Sequence, residues 1–355
     1  MQSFYDYLCE ARETLESMDA SRRESPADTF LSDEEIVHAV LANAGDSEVM
    51  QAVPKNAGDS ESVQTLPENA GDSEIAALLL HGSRVDGRCS GKSDYDLLIV
   101  HNNKQQKHFG FVRGGASFSC NCISFPIPEA DNNADYLRFY YPSRVIYDKD
   151  GSGLLLKKTI DDCCENYKAK EDCKDYKEFL KELISRMRRR DADESFYKAF
   201  FIYCAPIFLA ECNGQISLGP KRNVALLLRD DPELVGLFGK VLLPESGADE
   251  AERFYQSAFH RKVLLHTKDP YCSNIPDLND VVISDASGNA YSLGSCLRKI
   301  CDPVHVFVHL ATKCNRDYLE LFQLLKTFDP DTCQLLMNLC KTTACERIAL
   351  PVAEA

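Results

Sequence analysis

The chain has 355 residues, 44% of them hydrophobic, with a formal net charge of −15. That length suits two domains, and that apolar content excludes global disorder. The acidity argues against broad binding to nucleic-acid backbones, which takes clustered Lys and Arg, and suits cationic small molecules or basic protein partners.

The amino terminus, Met-Gln-Ser-Phe-Tyr-Asp-Tyr-Leu, has neither a basic nor an apolar leader region. No uninterrupted apolar run approaches the ~20 residues of a membrane helix. A soluble, cytoplasmic protein is therefore expected. Its sixteen cysteines include no Cys-x-x-Cys pair and read as reduced, mostly buried thiols.

Residues 4–22 carry Phe4, Tyr7, Leu8, Ala11, Leu15 and Met18 at helical spacing, which predicts an amphipathic helix. A second helix is expected from Ser32, where Ser32 and Glu35 form a capping-box pattern ahead of Ile36, Val37, Val40 and Leu41. Residues 1–42 are expected to pack on the domain that spans 74–155. The hexapeptide Asn-Ala-Gly-Asp-Ser-Glu then occurs three times, starting at Asn43, Asn56 and Asn69. Its period is too short for a solenoid, and Pro54 and Pro67 interrupt any continuous helix. Residues 43–73 read as a duplicated, acidic, mobile surface linker.

Strands are expected over 75–81, 96–101, 118–125 and 144–147, the last turned by Asp148-Lys-Asp-Gly151. Beyond residue 155 the pattern is helical. Phe179, Leu180, Leu183, Ile184 and Met187 form one stripe, and residues 196–209 are apolar nearly all round, as in a central bundle helix. Pro220 suits a first helical position, residues 281–293 a small hairpin, and Asp302-Pro303 the start of a helix. The fold class expected is α+β. A small mixed sheet flanked by helices spans 74–155, and a mainly helical domain spans 156–350.

The chemistry concentrates in residues 78–100. Two apolar strands bracket Gly82-Ser83, a glycine-bearing loop and the pair Asp94 and Asp96. Glycine lets the backbone approach a ligand closely, Ser83 adds a hydroxyl, and a helical turn after it would present N–H groups to phosphate. Asp94 and Asp96, two apart on a strand, point to one side. Paired hard oxygen donors suit Mg²⁺ with phosphate oxygens and waters completing its shell.

These residues resemble the nucleotidyltransferase superfamily that includes DNA polymerase beta. They look most like its minimal and antibiotic (streptomycin-type) adenylyltransferases, whose motif Gly-Ser-Arg-x-x-Gly-x-x-x-x-x-Ser-Asp-x-Asp-Leu is matched by Gly82, Ser83, Arg84, Gly87, Ser93, Asp94, Asp96 and Leu97. The resemblance implies transfer of a nucleoside monophosphate, AMP from ATP, to a hydroxyl. Mg²⁺ or Mn²⁺ would sit on Asp94 and Asp96. Gly82, Ser83, Arg84 and Ser93 would contact nucleotide, as would Lys221 of a Gly-Pro-Lys-Arg helix start. An aminoglycoside-like acceptor is favoured, with protein or tRNA acceptors as the alternative. The family's third carboxylate belongs on a later strand, and 118–125 has none. Asn121 is the positional match, and Glu129 and Asp131 follow it. A catalytically degenerate nucleotide-binding protein is the remaining alternative. His305 and His309, with Cys301 before them, read as packed side chains rather than metal ligands.

Overall fold

The structure, a computed structural model, describes residues 4–21, 30–45, 75–85, 94–101, 107–113, 115–124, 134–165, 172–260, 277–341 and 347–348. The linker 43–73, save the three residues that close a helix at 45, lies outside them, as do Gly87, Ser93, Glu129 and Asp131. The architecture is α+β, in two compact units: Pro26–Tyr167, and Met1–Ser25 with Lys168–Ala355.

The first unit is built on a five-stranded sheet in the order β3-β4-β2-β1-β5. The strands are β1 (Ile75–His81), β2 (Tyr95–His101), β3 (Lys107–Arg113), β4 (Ala116–Ser124) and β5 (Ser143–Asp148). β2 and β4 are parallel and every other pairing is antiparallel. The central strands β1 and β2 are buried on both faces, which is why their sequences read as near-continuous apolar runs.

Alternation sorts the side chains. Leu78, Leu80, Tyr95, Leu97, Ile99, Phe118 and Cys120 face the helix α2 (Asp33–Gly45), through Ile36 and Val40. Leu79, Leu98, Val100 and Ile123 face Leu156 and Ile160 of α3 (Ser152–Glu165), and Leu137. The capping box at α2 forms as expected: the Ser32 N–H donates to Glu35 Oε2 at 2.7 Å, and the Glu35 N–H to Ser32 Oγ at 3.3 Å. These bonds hold the Glu35 carboxyl below its ordinary pKa. Arg144 forks onto Asp33, tying β5 to the start of α2.

At the start of α3 the Asp148 carboxylate accepts from the N–H groups of Gly151 (2.9 Å), Gly153 (3.2 Å) and Leu154 (2.9 Å). Gly153 is needed because a Cβ there would lie 2.7 Å from the Ala77 Cβ, so α3 rests directly on β1. The division between units at Tyr167 therefore keeps α3 with the sheet, whereas the sequence pattern counted this helix with the carboxy-terminal domain.

The second unit contains α1 (Phe4–Ser21), α4 (Lys174–Met187), α5 (Glu194–Cys212), α6 (Pro220–Asp230), α7 (Pro232–Leu242), α8 (Ala248–Phe259), α9 (Leu293–Lys313), α10 (Tyr318–Phe328) and α11 (Pro330–Leu339). A small sheet, β6 (Val282–Ser284), β7 (Ala290–Ser292) and β8 (Arg347–Ile348), completes it. The expected helix over 4–22 is present, but Leu8, Ala11 and Leu15 bury in the helical core, not on the sheet unit. Its Glu10 holds Lys313 of α9 at 2.9 Å.

α5 is long and apolar enough to cross a membrane by length and composition, although its charged and polar residues interrupt the apolar run. It is also the core helix of this unit, mostly buried inside the protein. One helix start is corrected. α9 begins at Leu293, capped by Ser292, whose Oγ accepts from Ser295 N at 3.2 Å, and it runs through Pro303. Cys301 therefore lies inside the helix, buried.

The Phe196 and Phe322 rings stack with centroids 3.8 Å apart in the middle of this core. Phe196→Ala is expected to destabilise the protein by about 3–5 kcal/mol, read as a lower urea midpoint at unchanged slope. A midpoint unchanged within error would show that this core does not carry the unit.

Candidate functional site

β1 ends at His81, and the chain turns through a short 3₁₀ segment, Gly82–Arg84, closed by Val85 N donating to Gly82 O at 3.1 Å. β2 begins at Tyr95 alongside it, with His81 directly opposite Asp96. Gly82 has φ +72°, a left-handed conformation that glycine adopts without penalty. A Cβ at this position would lie 3.2 Å from Asp96 Cγ and 3.3 Å from Asp96 Cβ, and would overlap its carboxylate oxygen. The glycine thus lets the Asp96 carboxylate rest against the turn backbone.

Tyr95 decides where Asp96 points. Its side chain is 2% exposed on the α2 face, stacked 5.2 Å from the Phe118 ring, and its hydroxyl accepts from Leu31 N at 2.6 Å. With Tyr95 anchored there, Asp96 falls on the α3 face at the end of the sheet, beyond the apolar patch that α3 covers, and Asp94 lies just ahead of the strand. Asp94 is exposed and Asp96 half-buried.

The sequence-derived site residues divide accordingly. Gly82 and Asp96 come together at this sheet end, with Ser83 next along the turn and Asp94 immediately before β2. Arg84 does not join the acid face. Its guanidinium lies 4.0 Å from the centroid of the Tyr95 ring, which is on the opposite side, and 5.2 Å from that of Phe30. Asn121 is on the acid face, since Phe118, Cys120 and Cys122 occupy the other. Its partner across the ladder is Leu98, one side-chain step along from Asp96, which pairs with Ser119. The acid-face positions of β4 are therefore Ser117, Ser119, Asn121 and Ile123, without a carboxylate.

Lys221 belongs to the helical unit, where its Nζ holds Asp302 Oδ1 at 2.7 Å. His305 contacts Tyr203, Nδ1 to Oη 2.9 Å, and no group of three or more His, Cys, Asp or Glu converges as a metal site among the described residues. Burial, with Cys122 and Asp96 nearby, pushes the Cys120 thiol well above its ordinary pKa, so it is an inert core group beneath the site.

Sequence reasoning passed over His81. It is 9% exposed and cross-strand from Asp96, and its ring packs edge-on against Tyr140 at 5.1 Å. Its place immediately before Gly-Ser was the available signal.

Two carboxylates suffice for Mg²⁺, which is ordinarily held by one or two protein carboxylates plus substrate phosphates and water. The hard oxygen donors of Asp94 and Asp96 fit that requirement.

No family model matches the chain, and no curated protein matches it. Among solved structures, the chain is similar to a nucleotidyltransferase-like protein from Exiguobacterium sibiricum 255-15. The two are 13% identical, the match covers 70% of this chain and 88% of the other, and the TM-score is 0.28.

Gly82→Ala is expected to force the turn and Asp96 apart, destabilising the protein by about 1–2 kcal/mol from the left-handed backbone alone. Urea unfolding measures this, and a divalent-cation titration should show weakened binding. An alanine variant matching the original in both would show that the close approach is dispensable.

Proposed function

We propose that the protein transfers a nucleoside monophosphate from a nucleoside triphosphate, ATP in the simplest case, to a hydroxyl group. The observation that carries this reading is the apposition of the Gly82 backbone and the Asp96 carboxylate, with Asp94 two residues earlier in the chain. The motif resemblance points the same way. Asp94 and Asp96 would hold Mg²⁺, which when bound neutralises phosphate charge and orients the leaving group. Gly82 and Ser83 would take the β- and γ-phosphates. The acceptor oxygen bonds to the α-phosphorus, the bridging α–β P–O bond breaks, pyrophosphate leaves, and the hydroxyl proton passes to solvent. A small polycationic acceptor suits a chain of net charge −15.

A second reading, nucleotide binding without transfer, is favoured by the absence of a carboxylate on the acid face of β4. The two readings separate in one assay. If transfer operates, the unsubstituted protein releases pyrophosphate from Mg-NTP with a hydroxylated acceptor. Asp94→Asn and Asp96→Asn then each lower that rate by about 100-fold or more, on the order of the loss of a strong electrostatic contribution. Undiminished turnover in both variants would sink the assignment.

Asn121→Asp supplies the carboxylate that β4 lacks. Under the binding-only reading it converts a protein that holds nucleotide without turnover into one that releases pyrophosphate, detectable by a coupled phosphate assay. Under the transfer reading it raises an existing rate.

A further inference from the structure

α4 and α5 run antiparallel. Tyr176 stacks on Phe208 with ring centroids 4.2 Å apart, Phe179 meets Phe200 edge-on at 5.6 Å, and Arg186 donates to Tyr197 Oη at 3.4 Å. Rising numbers on one helix thus meet falling numbers on the other, which sets the start of α4 beside the end of α5. A cysteine stands at each. Cys173 caps the start of α4, and Cys212 is the last residue of α5. The Tyr176 hydroxyl donates to Glu211 Oε2 at 2.5 Å and ties the two ends together. Between those ends the Cys212 thiol hydrogen-bonds to Cys173.

This pair differs from the core thiols of the unit. Cys204, Cys296 and Cys301 are buried among apolar side chains, whereas Cys173 and Cys212 are both half-buried. A cavity of about 420 Å³ opens beside Cys212, lined also by Lys177, Asn213 and His260, so a small reagent has a way in. The Cys173 side chain makes no capping bond to α4, which leaves its sulfur uncommitted to the helix. The dipole at a helix start favours negative charge on a sulfur, and the thiolate is the attacking form. Burial, and then the bond to Cys173, push the Cys212 thiol above its ordinary pKa. Cys212 is therefore the proton-holding member.

We propose that Cys173 and Cys212 form a reversible dithiol–disulfide site that exchanges with small-molecule disulfides, Cys173 attacking and Cys212 resolving. The site lies in the helical unit and does not rest on the nucleotide reading. First, the Cys173 thiolate bonds to one sulfur of the reagent, the reagent's S–S bond breaks, and the departing thiolate takes a proton. Then Cys212 gives its proton to solvent and bonds to the Cys173 sulfur, and the second small thiolate leaves and is protonated. Two protein thiols are oxidised and one small disulfide is reduced to two thiols. The helix ends are already adjacent, so side-chain rotation brings the sulfurs to covalent distance. A disulfide exposed in this way is labile and is reduced again by excess thiol.

The test uses the full chain, reduced and then treated with oxidised glutathione. Remaining thiols are blocked with iodoacetamide, and the protein is digested without reductant for mass spectrometry. The exposed Cys9 reports that the reagent has acted. The expected product is a cross-linked peptide joining Cys173 to Cys212, lost on treatment with dithiothreitol. Cys212→Ser should trap glutathione on Cys173 as a stable mixed disulfide. Cys173→Ser should take up glutathione at Cys212 about tenfold or more slowly than that, because the attacking sulfur is gone. Cys173 and Cys212 both alkylated while Cys9 carries glutathione, or either one joined to a different cysteine, overturns the proposal. Equal uptake at the remaining cysteine in the two variants overturns it as well. The pairing is read in the unsubstituted chain, so it is decided whether or not the variants fold.

Discussion

The antiparallel register between β1 and β2 is the constraint on which the site depends. It sets His81 opposite Asp96 and brings the Gly82 backbone under the Asp96 carboxylate. A slip of one residue would reverse every side chain of β2 and send Asp96 into the α2 face. Three features on that face resist the slip. Tyr95 is stacked on Phe118 and bonded to Leu31 N, Arg84 lies over the Tyr95 ring, and Arg144 is forked onto Asp33. The aromatic and basic residues around the motif therefore act on the side away from Asp96, and they aim it by occupying that side.

The two faces of one sheet thus do different work. The α2 face is a closed core, with an inert thiol at Cys120 and aromatic stacking from Phe111 through Phe118 to Tyr95. The α3 face is closed only over part of its length and ends at Asp96, which carries the proposed chemistry. The helical unit has its own core, and three of its lysines find partners within it. Lys221 pairs with Asp302, Lys326 with Asp193, and the buried Lys198 donates to the Leu243 and Ser246 carbonyls.

Legibility followed how local the cause was. The motif strands, the Ser32–Glu35 cap, the Asp148 turn and the stripe on α4 are each set by neighbours within a few residues, and each could be read directly. β3 was missed because Lys107-His-Phe-Gly-Phe-Val-Arg113 has charged ends and a central glycine. It is a strand because its whole length pairs with β4. The start of α9 was misplaced because proline is favoured in a first helical turn. Pro303 instead sits mid-helix, held by the packing of Leu297, Ile300, Val304 and Phe307. Residues 1–42 were taken as one block because two amphipathic helices in succession look alike, yet α1 and α2 bury in different units.

By itself the sequence determined that Gly82-Ser83 and the Asp94-x-Asp96 motif lie between two apolar strands, because each strand is a local apolar run. It also showed that β4 carries no acid. Only the tertiary structure decided which face Asp96 takes, that Asn121 stands one step from it, that Arg84 turns away, and that His81 lies opposite Asp96. Those facts depend on register between strands far apart in the chain, which is fixed by packing on both sides of the sheet and leaves no mark in any single segment.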